Sequence, residues 1–300
     1  MDDVTQYLDP AALSRLQGLE LTARRIVEGF VAGRHRSPFR GFSAEFAEHR
    51  EYTPGDDLRY VDWKVFGRSD RYYLKQYEEE TNFACWLLVD TSESMTYQGP
   101  DAAVSKLEYA RMVAASLAWL VLRQQDAVGL ATLERSVTRF VEASSQPSHL
   151  GPVCRVLEEA DGAGQTALGP ALHDLAARLR RRSVVVLISD LFDDPESLAS
   201  GLKHLSFRRH DVSVLQLVDP AELDFPFEDP TRFVGLEGLP DQVTEPRSLR
   251  AAYRAEFDSF LKRVRGCCRE LRIDHSLIRT DAPLDVAISR FLEQRLRRVG

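Results

Sequence analysis

Two carboxylates and three hydroxyls stand in this sequence where hard-oxygen chemistry is possible. Asp90 follows the apolar run Phe83 to Val89, and Ser92 and Ser94 come after it at alternate positions. A hundred residues on, a second apolar run, Ser183 to Ser189, also ends in an acid, Asp190. Between them Thr166 closes a glycine-bearing stretch, Asp161-Gly-Ala-Gly-Gln-Thr166. An all-oxygen donor set of this kind suits Mg²⁺, or Mn²⁺ or Ca²⁺ in its place. The expected shell is Asp90, Ser92, Ser94, Thr166 and Asp190, some direct and some through water. With only two charged donors, the ion keeps its electrophilicity and a position open to water or a partner's carboxylate. Each residue taken singly has a plainer reading. Asp-Thr-Ser can cap a loop through Asx-type bonds, Thr166 can cap a helix, and Asp190 can brace a turn. In this order, at these boundaries, the set favours an ion.

The elements that must position these residues alternate between strand and helix. Phe83–Val89, Ala127–Leu133, Ser183–Ser189, Val212–Val218 and Ile273–Ile278 read as strands, rich in branched and aromatic residues. Val137–Val141 is a further strand, close enough to the second for a hairpin, and Phe233–Glu237 reads as a short surface strand. Helices are expected from the Ser105-Lys106-Leu107-Glu108 capping box to Arg123, and over Ser148–Glu159, Gly169–Arg181, Asp194–Phe207, Ser248–Leu271 and Pro283–Arg297. Such alternation predicts an α/β fold: a doubly wound, mainly parallel sheet with helices on both faces. Ligands of such sheets bind beyond the carboxyl ends of the strands, where strand order reverses. If Asp90 ends a central strand and Asp190 its neighbour across that reversal, both face one crevice. The loop carrying Thr166 can then cover it, with Gly162 and Gly164 allowing close backbone approach.

Residues 1–81 differ in texture from residues 82–300, and the two are expected to form separate parts. A helix from Asp9-Pro10 to about Phe30 precedes a charged, aromatic segment with a Pro54-Gly55 turn and a strand over Tyr72–Tyr77. Arg59 and Arg68 of this segment are candidates for a partner-binding face beside the sheet. The net charge of −7 excludes a general nucleic-acid binder. The longest apolar stretch, Met112 to Leu122, falls short of the ~20 residues a bilayer span needs. The start, Met-Asp-Asp-Val-Thr, lacks a basic region and an apolar core, so the expected location is cytoplasmic. None of Cys85, Cys154, Cys267 and Cys268 forms a Cys-x-x-Cys pair, which argues against zinc. There is no Gly-x-x-x-x-Gly-Lys-Ser/Thr loop and no Gly-x-Ser-x-Gly elbow. A binding module, not an enzyme, is the expectation. A Mg²⁺-dependent hydrolase or phosphotransferase and a metal-free scaffold stand as alternatives.

The set Asp90, Ser92, Ser94, Thr166 and Asp190 resembles the metal-ion-dependent adhesion site of the von Willebrand factor A fold, over roughly residues 82–298. Upstream, Glu45-Phe46 to Arg50-x-Tyr52-x-Pro54-Gly55-Asp56-Asp57-x-Arg59-x-x-Asp62-Trp63 resembles the bacterial family called domain of unknown function 58. The resemblance implies a protein partner, a MoxR-type AAA+ ATPase or its client, and a chaperone-like role in complex assembly or maturation.

Overall fold

The computed structural model describes residues 44–51, 73–79 and 84–299. The helix expected up to Phe30, the Pro54-Gly55 turn, Arg59 and Arg68 lie outside the described residues. The described residues fall into two compact units, one holding residues 44–51 and 73–79 and one holding residues 84–299. Within the smaller unit, β1 (Ala44–Glu51) pairs antiparallel with β2 (Tyr73–Glu79), with a register shift between Phe46 and Glu48. The second strand matches the one expected near Tyr72–Tyr77. The first was not expected, because its charged residues hide the period-2 pattern that marks a strand.

The larger unit holds a six-stranded sheet. Its strands are β3 (Ala84–Asp90), β4 (Ala127–Leu133), β5 (Val137–Ser144), β6 (Val184–Ser189), β7 (Asp211–Val218) and β10 (Asp274–Arg279), in the order β10-β7-β6-β3-β4-β5. All neighbours are parallel except β4 and β5, which form the expected hairpin at one edge. β3 is central, β6 lies beside it, and the order reverses between β3 and β6. This is the doubly wound α/β fold expected from the alternation. β3 and β6 are buried along nearly their whole length, as strands covered on both faces must be.

Among the described residues the helices are α1 (Lys106–Arg123), α2 (Leu150–Glu158), α3 (Leu168–Arg178), α4 (Pro195–Phe207), α5 (Pro220–Asp224), α6 (Pro246–Glu270) and α7 (Leu284–Val299). Ser105 caps α1 by accepting from Glu108 N, and Asp194 caps α4 by accepting from Ser197 N. One core joins Trp86 and Leu88 of β3 to Leu168, Leu172 and Leu175 of α3 and Leu198 and Leu202 of α4. Trp86 stacks on Phe140 of the edge strand, and a side chain at Gly129 would strike the Trp86 ring. Burying each of these apolar side chains is worth about 1.5–3 kcal/mol, which fixes the strand tips relative to one another.

The long connection between β7 and α6 departs from expectation. The strand foreseen at Phe233–Glu237 is β8 (Thr231–Phe233), and it pairs with an unforeseen β9 (Gln242–Thr244). Glu237 sits in the loop between them with φ of 57°, a left-handed conformation no strand residue adopts.

Candidate functional site

Parallel pairing sets the site. Val89 of β3 is level with Ile188 of β6, which brings Asp90 alongside Ser189, one residue before Asp190. Both acids are fully buried. Asp90 Oδ1 accepts from Ser92 N at 3.0 Å, an Asx-type turn that folds the chain back over the strand tip. Its other oxygen accepts from Ser189 Oγ at 2.5 Å. Ser92 Oγ and Ser94 Oγ share a hydrogen bond of 3.0 Å within a short 3₁₀ turn. The glycine loop packs against this turn: Ser92 bridges to Gly164, and Glu93 N donates to Gly164 O at 2.7 Å. Gly162 has φ of 71°, and a side chain there would collide with Thr96, so the close approach does need glycine.

Thr166 is held at the same crevice by a residue from elsewhere. Its hydroxyl donates to Glu237 Oε1 at 2.7 Å, and the same oxygen accepts from Ser94 N at 3.4 Å. Thr166 does not cap α3; the residue at that position is Ala167, which makes no side-chain cap. Asp190 Oδ1 accepts from Phe192 N at 3.1 Å, so the turn-bracing reading of Asp190 holds for one of its oxygens.

The other oxygen of Asp190 reveals a residue that sequence reading missed. Lys106, treated there only as part of a capping box, is fully buried. Its Nζ donates to Asp190 Oδ2 at 2.7 Å and to Glu222 Oε1 at 2.6 Å, and it lies 4.7 Å from the centre of the Phe192 ring. Burial opposes the charged form of Lys106, but Asp190 and Glu222 outweigh it and raise its pKa. Asp90 has no such partner. Burial first, and then the neighbouring Asp190 charge, push its carboxyl up to about 7, against the hydrogen bonds from Ser189 and Ser92. Asp190 and Glu222 thus share one ammonium, and Asp90 beside Asp190 has none, which leaves the site short of positive charge.

Does this donor set fit a divalent ion? Among the described residues no three His, Cys, Asp or Glu side chains gather as a metal cluster. Carboxylates alone do not make a cage here, so Ser92, Ser94 and Thr166 must supply the remaining donors. Those donors are hard oxygens of the kind Mg²⁺ takes. The buried, undercompensated Asp90 gives a cation a reason to enter. On both counts the residues fit.

Beside the crevice an apolar cleft of about 580 Å³ runs from Ser94 and Glu237 past Phe192, Phe225, Phe233 and Tyr253. Val234 and Leu239, which line it, are exposed.

Comparison with known proteins finds relatives of the chain as a whole. Residues 48–265 match a family model described as "Protein of unknown function DUF58". Uncharacterized protein Rv1480 of Mycobacterium tuberculosis is 28% identical over 298 residues, spanning 96% of this chain and 91% of its own. Uncharacterized protein Mb1516 of Mycobacterium bovis matches to the same extent. Among solved structures, BatB from Bacteroides thetaiotaomicron is similar with a TM-score of 0.46 and 18% identity, over 72% of this chain and 99% of that one. The VWA domain of SpRpn10 is similar at 0.40 and 12%, over 69% and 94%. A von Willebrand factor type A protein from Catenulispora acidiphila is similar at 0.39 and 14%, over 73% and 43%. At these TM-scores the likenesses carry no inference; the doubly wound architecture stands on the strand order. Among the described residues no helix is long and apolar enough to cross a membrane.

Proposed function

The chain belongs to the DUF58 family of proteins of unknown function, and from that premise we propose that it is a metal-dependent protein-docking module and not an enzyme. Asp90, Ser92, Ser94, Thr166 and Asp190 would hold a divalent cation of the Mg²⁺ type, with Mn²⁺ or Ca²⁺ as substitutes. When bound, that ion supplies a Lewis-acidic position that an acidic side chain can take. The residues of the chain do the rest. Ser189 and Ser92 fix the Asp90 carboxylate, Lys106 anchors Asp190, and the Gly162–Thr166 loop brings a third hydroxyl. The partner we infer is a MoxR-type AAA+ ATPase or its client, met in the assembly or maturation of a complex. The observation that carries this reading is the pair of buried acids on adjacent strand tips, ringed by hydroxyls and short of positive charge.

The test is thermal unfolding with and without ion. Mg²⁺ at 100 times its Kd should stabilise the protein by about 2.7 kcal/mol. For a unit of this size that is a rise in Tm of roughly 5–10 °C. Asp90→Ala should abolish the rise, and in a pull-down with the ATPase it should lose the partner as a chelator does. A wild-type melt indifferent to Mg²⁺ and Mn²⁺ would end this reading. The second reading, a metal-free scaffold, is favoured by one observation: Lys106 already places a cation between Asp190 and Glu222.

A further inference from the structure

Glu237 is bound to the docking crevice at every polar atom it has. Its Oε1 accepts from Thr166 Oγ1 at 2.7 Å and from Ser94 N at 3.4 Å, and its Oε2 accepts from Thr166 N at 3.0 Å. Its backbone N–H donates to Glu93 Oε2 at 2.5 Å, and its carbonyl accepts from Gln165 Nε2 at 2.8 Å. All of these partners lie in the two segments that carry Ser94 and Thr166. They are separated from Glu237 by 71 to 144 residues, so none is a product of local turn geometry. The backbone is held in a left-handed conformation that a residue with a side chain adopts only at a cost. The contacts to the crevice offset that cost. Thr166 is one of the residues expected to face the ion, and its hydroxyl proton goes to Glu237. A hydroxyl that donates in this way keeps its lone pairs as acceptors.

We propose that Glu237 is the chain's own occupant of the docking position: a carboxylate on the β8–β9 loop that closes the crevice until a partner's acid displaces it. This rests on the metal-docking reading above and deepens it. The loop is braced for the role: Asp241 ties its base by accepting from Arg232 and from Gly235 N at 3.0 Å. Release of Glu237 would free Ser94 N and both donors of Thr166 at once. It would also loosen the loop that forms one wall of the apolar cleft. A partner offering a carboxylate next to an apolar side chain could then take the place of Glu237 and enter the cleft.

The test uses the full chain with Mn²⁺ as the probe, read by water-proton relaxation and by amide hydrogen exchange. In wild type, bound Mn²⁺ should show little water access, acetate should not change it, and Mn²⁺ should slow exchange over residues 231–244. In Glu237→Gln and Glu237→Ala, water access should rise and become sensitive to acetate. Exchange at the Ser94 and Thr166 amides should speed up about fivefold, as expected for losing one hydrogen bond each. Mn²⁺ should still bind both variants, and Asp90→Ala should still abolish binding. Mn²⁺ binding that depends on Asp90, with water access and exchange unchanged in both Glu237 variants, would overturn this inference and leave the docking reading intact. No Mn²⁺ binding to wild type would overturn both. The wild-type exchange measurement needs no variant to fold.

Discussion

Lys106 is the residue on which the charge of the site turns. It is the ammonium between Asp190 and Glu222, with all three groups largely or wholly out of water. Breaking a buried pair by removing one partner costs about 3–5 kcal/mol, because the remaining charges are left uncompensated. Lys106→Met should therefore lower the unfolding free energy by about that much in metal-free buffer, measured by urea titration. Mg²⁺ should then stabilise the variant more than it stabilises wild type, since an ion would enter a site with a larger charge deficit. A scaffold whose permanent cation is Lys106 predicts the same loss with no recovery. The sequence made Asp90, Ser92 and Ser94 legible because their spacing is local, and Asp190 because it ends a conspicuous strand. It hid Lys106, whose nearest signal was a helix cap, and Glu237, whose partners lie 71 and 143 residues away. Ionic partners chosen by tertiary folding leave no periodicity behind.

Elements told the same story in their own terms. Buried strands such as β3 and β6 were readable from unbroken apolar runs. The β8–β9 pair was not, because three-residue strands are shorter than any periodic signal. The junction of α4 and β7 carries a prediction of its own. His210 there is buried, and neither ring nitrogen has a hydrogen-bond partner. Burial first, and then Arg208 and Arg182, lower its pKa to about 4. His275 on β10 is lowered to about 4 by burial and Arg265. A histidine with a depressed folded pKa binds its proton more readily in the unfolded chain. Its stabilising contribution is complete above pH ~6.5 and is lost as pH falls from there towards 4. Asp126, raised to about 6 by burial, works the other way and recovers some stability over the lower part of that range. Asp90, raised to about 7, acts in the same direction as Asp126, so the two acids oppose the two histidines between pH 7 and pH 4.5. His210→Leu should remove that histidine's share, so that between pH 8 and pH 5 the variant loses about 2 kcal/mol less than wild type. Parallel urea titrations at pH 5 and pH 8 would check it, and an unchanged slope would show that the ring is not held neutral.

At the scale of the whole molecule, the fold sets two demands against each other. A doubly wound sheet gains stability from an apolar interior, yet its central strand tips carry Asp90 and Asp190 out of water. A chain built only for stability would have no use for an acid at position 90 beside another acid. Replacing it with a neutral group of the same shape should thus improve the metal-free protein. Asparagine can keep the bond from Ser92 N and place its amide against Ser189 Oγ, which already accepts from Leu191 N. Asp90→Asn should raise the metal-free Tm at pH 8 by several degrees, because a buried charge without a counter-ion carries a desolvation penalty that the amide does not. The same substitution should erase the response to Mg²⁺ and the capture of the ATPase. A stabilised fold that has lost its ion and its partner is the signature of a residue retained for binding. If Asp90→Asn instead lowers the metal-free Tm, Asp90 is a structural acid satisfied by its hydrogen bonds, and the crevice has no claim on a cation.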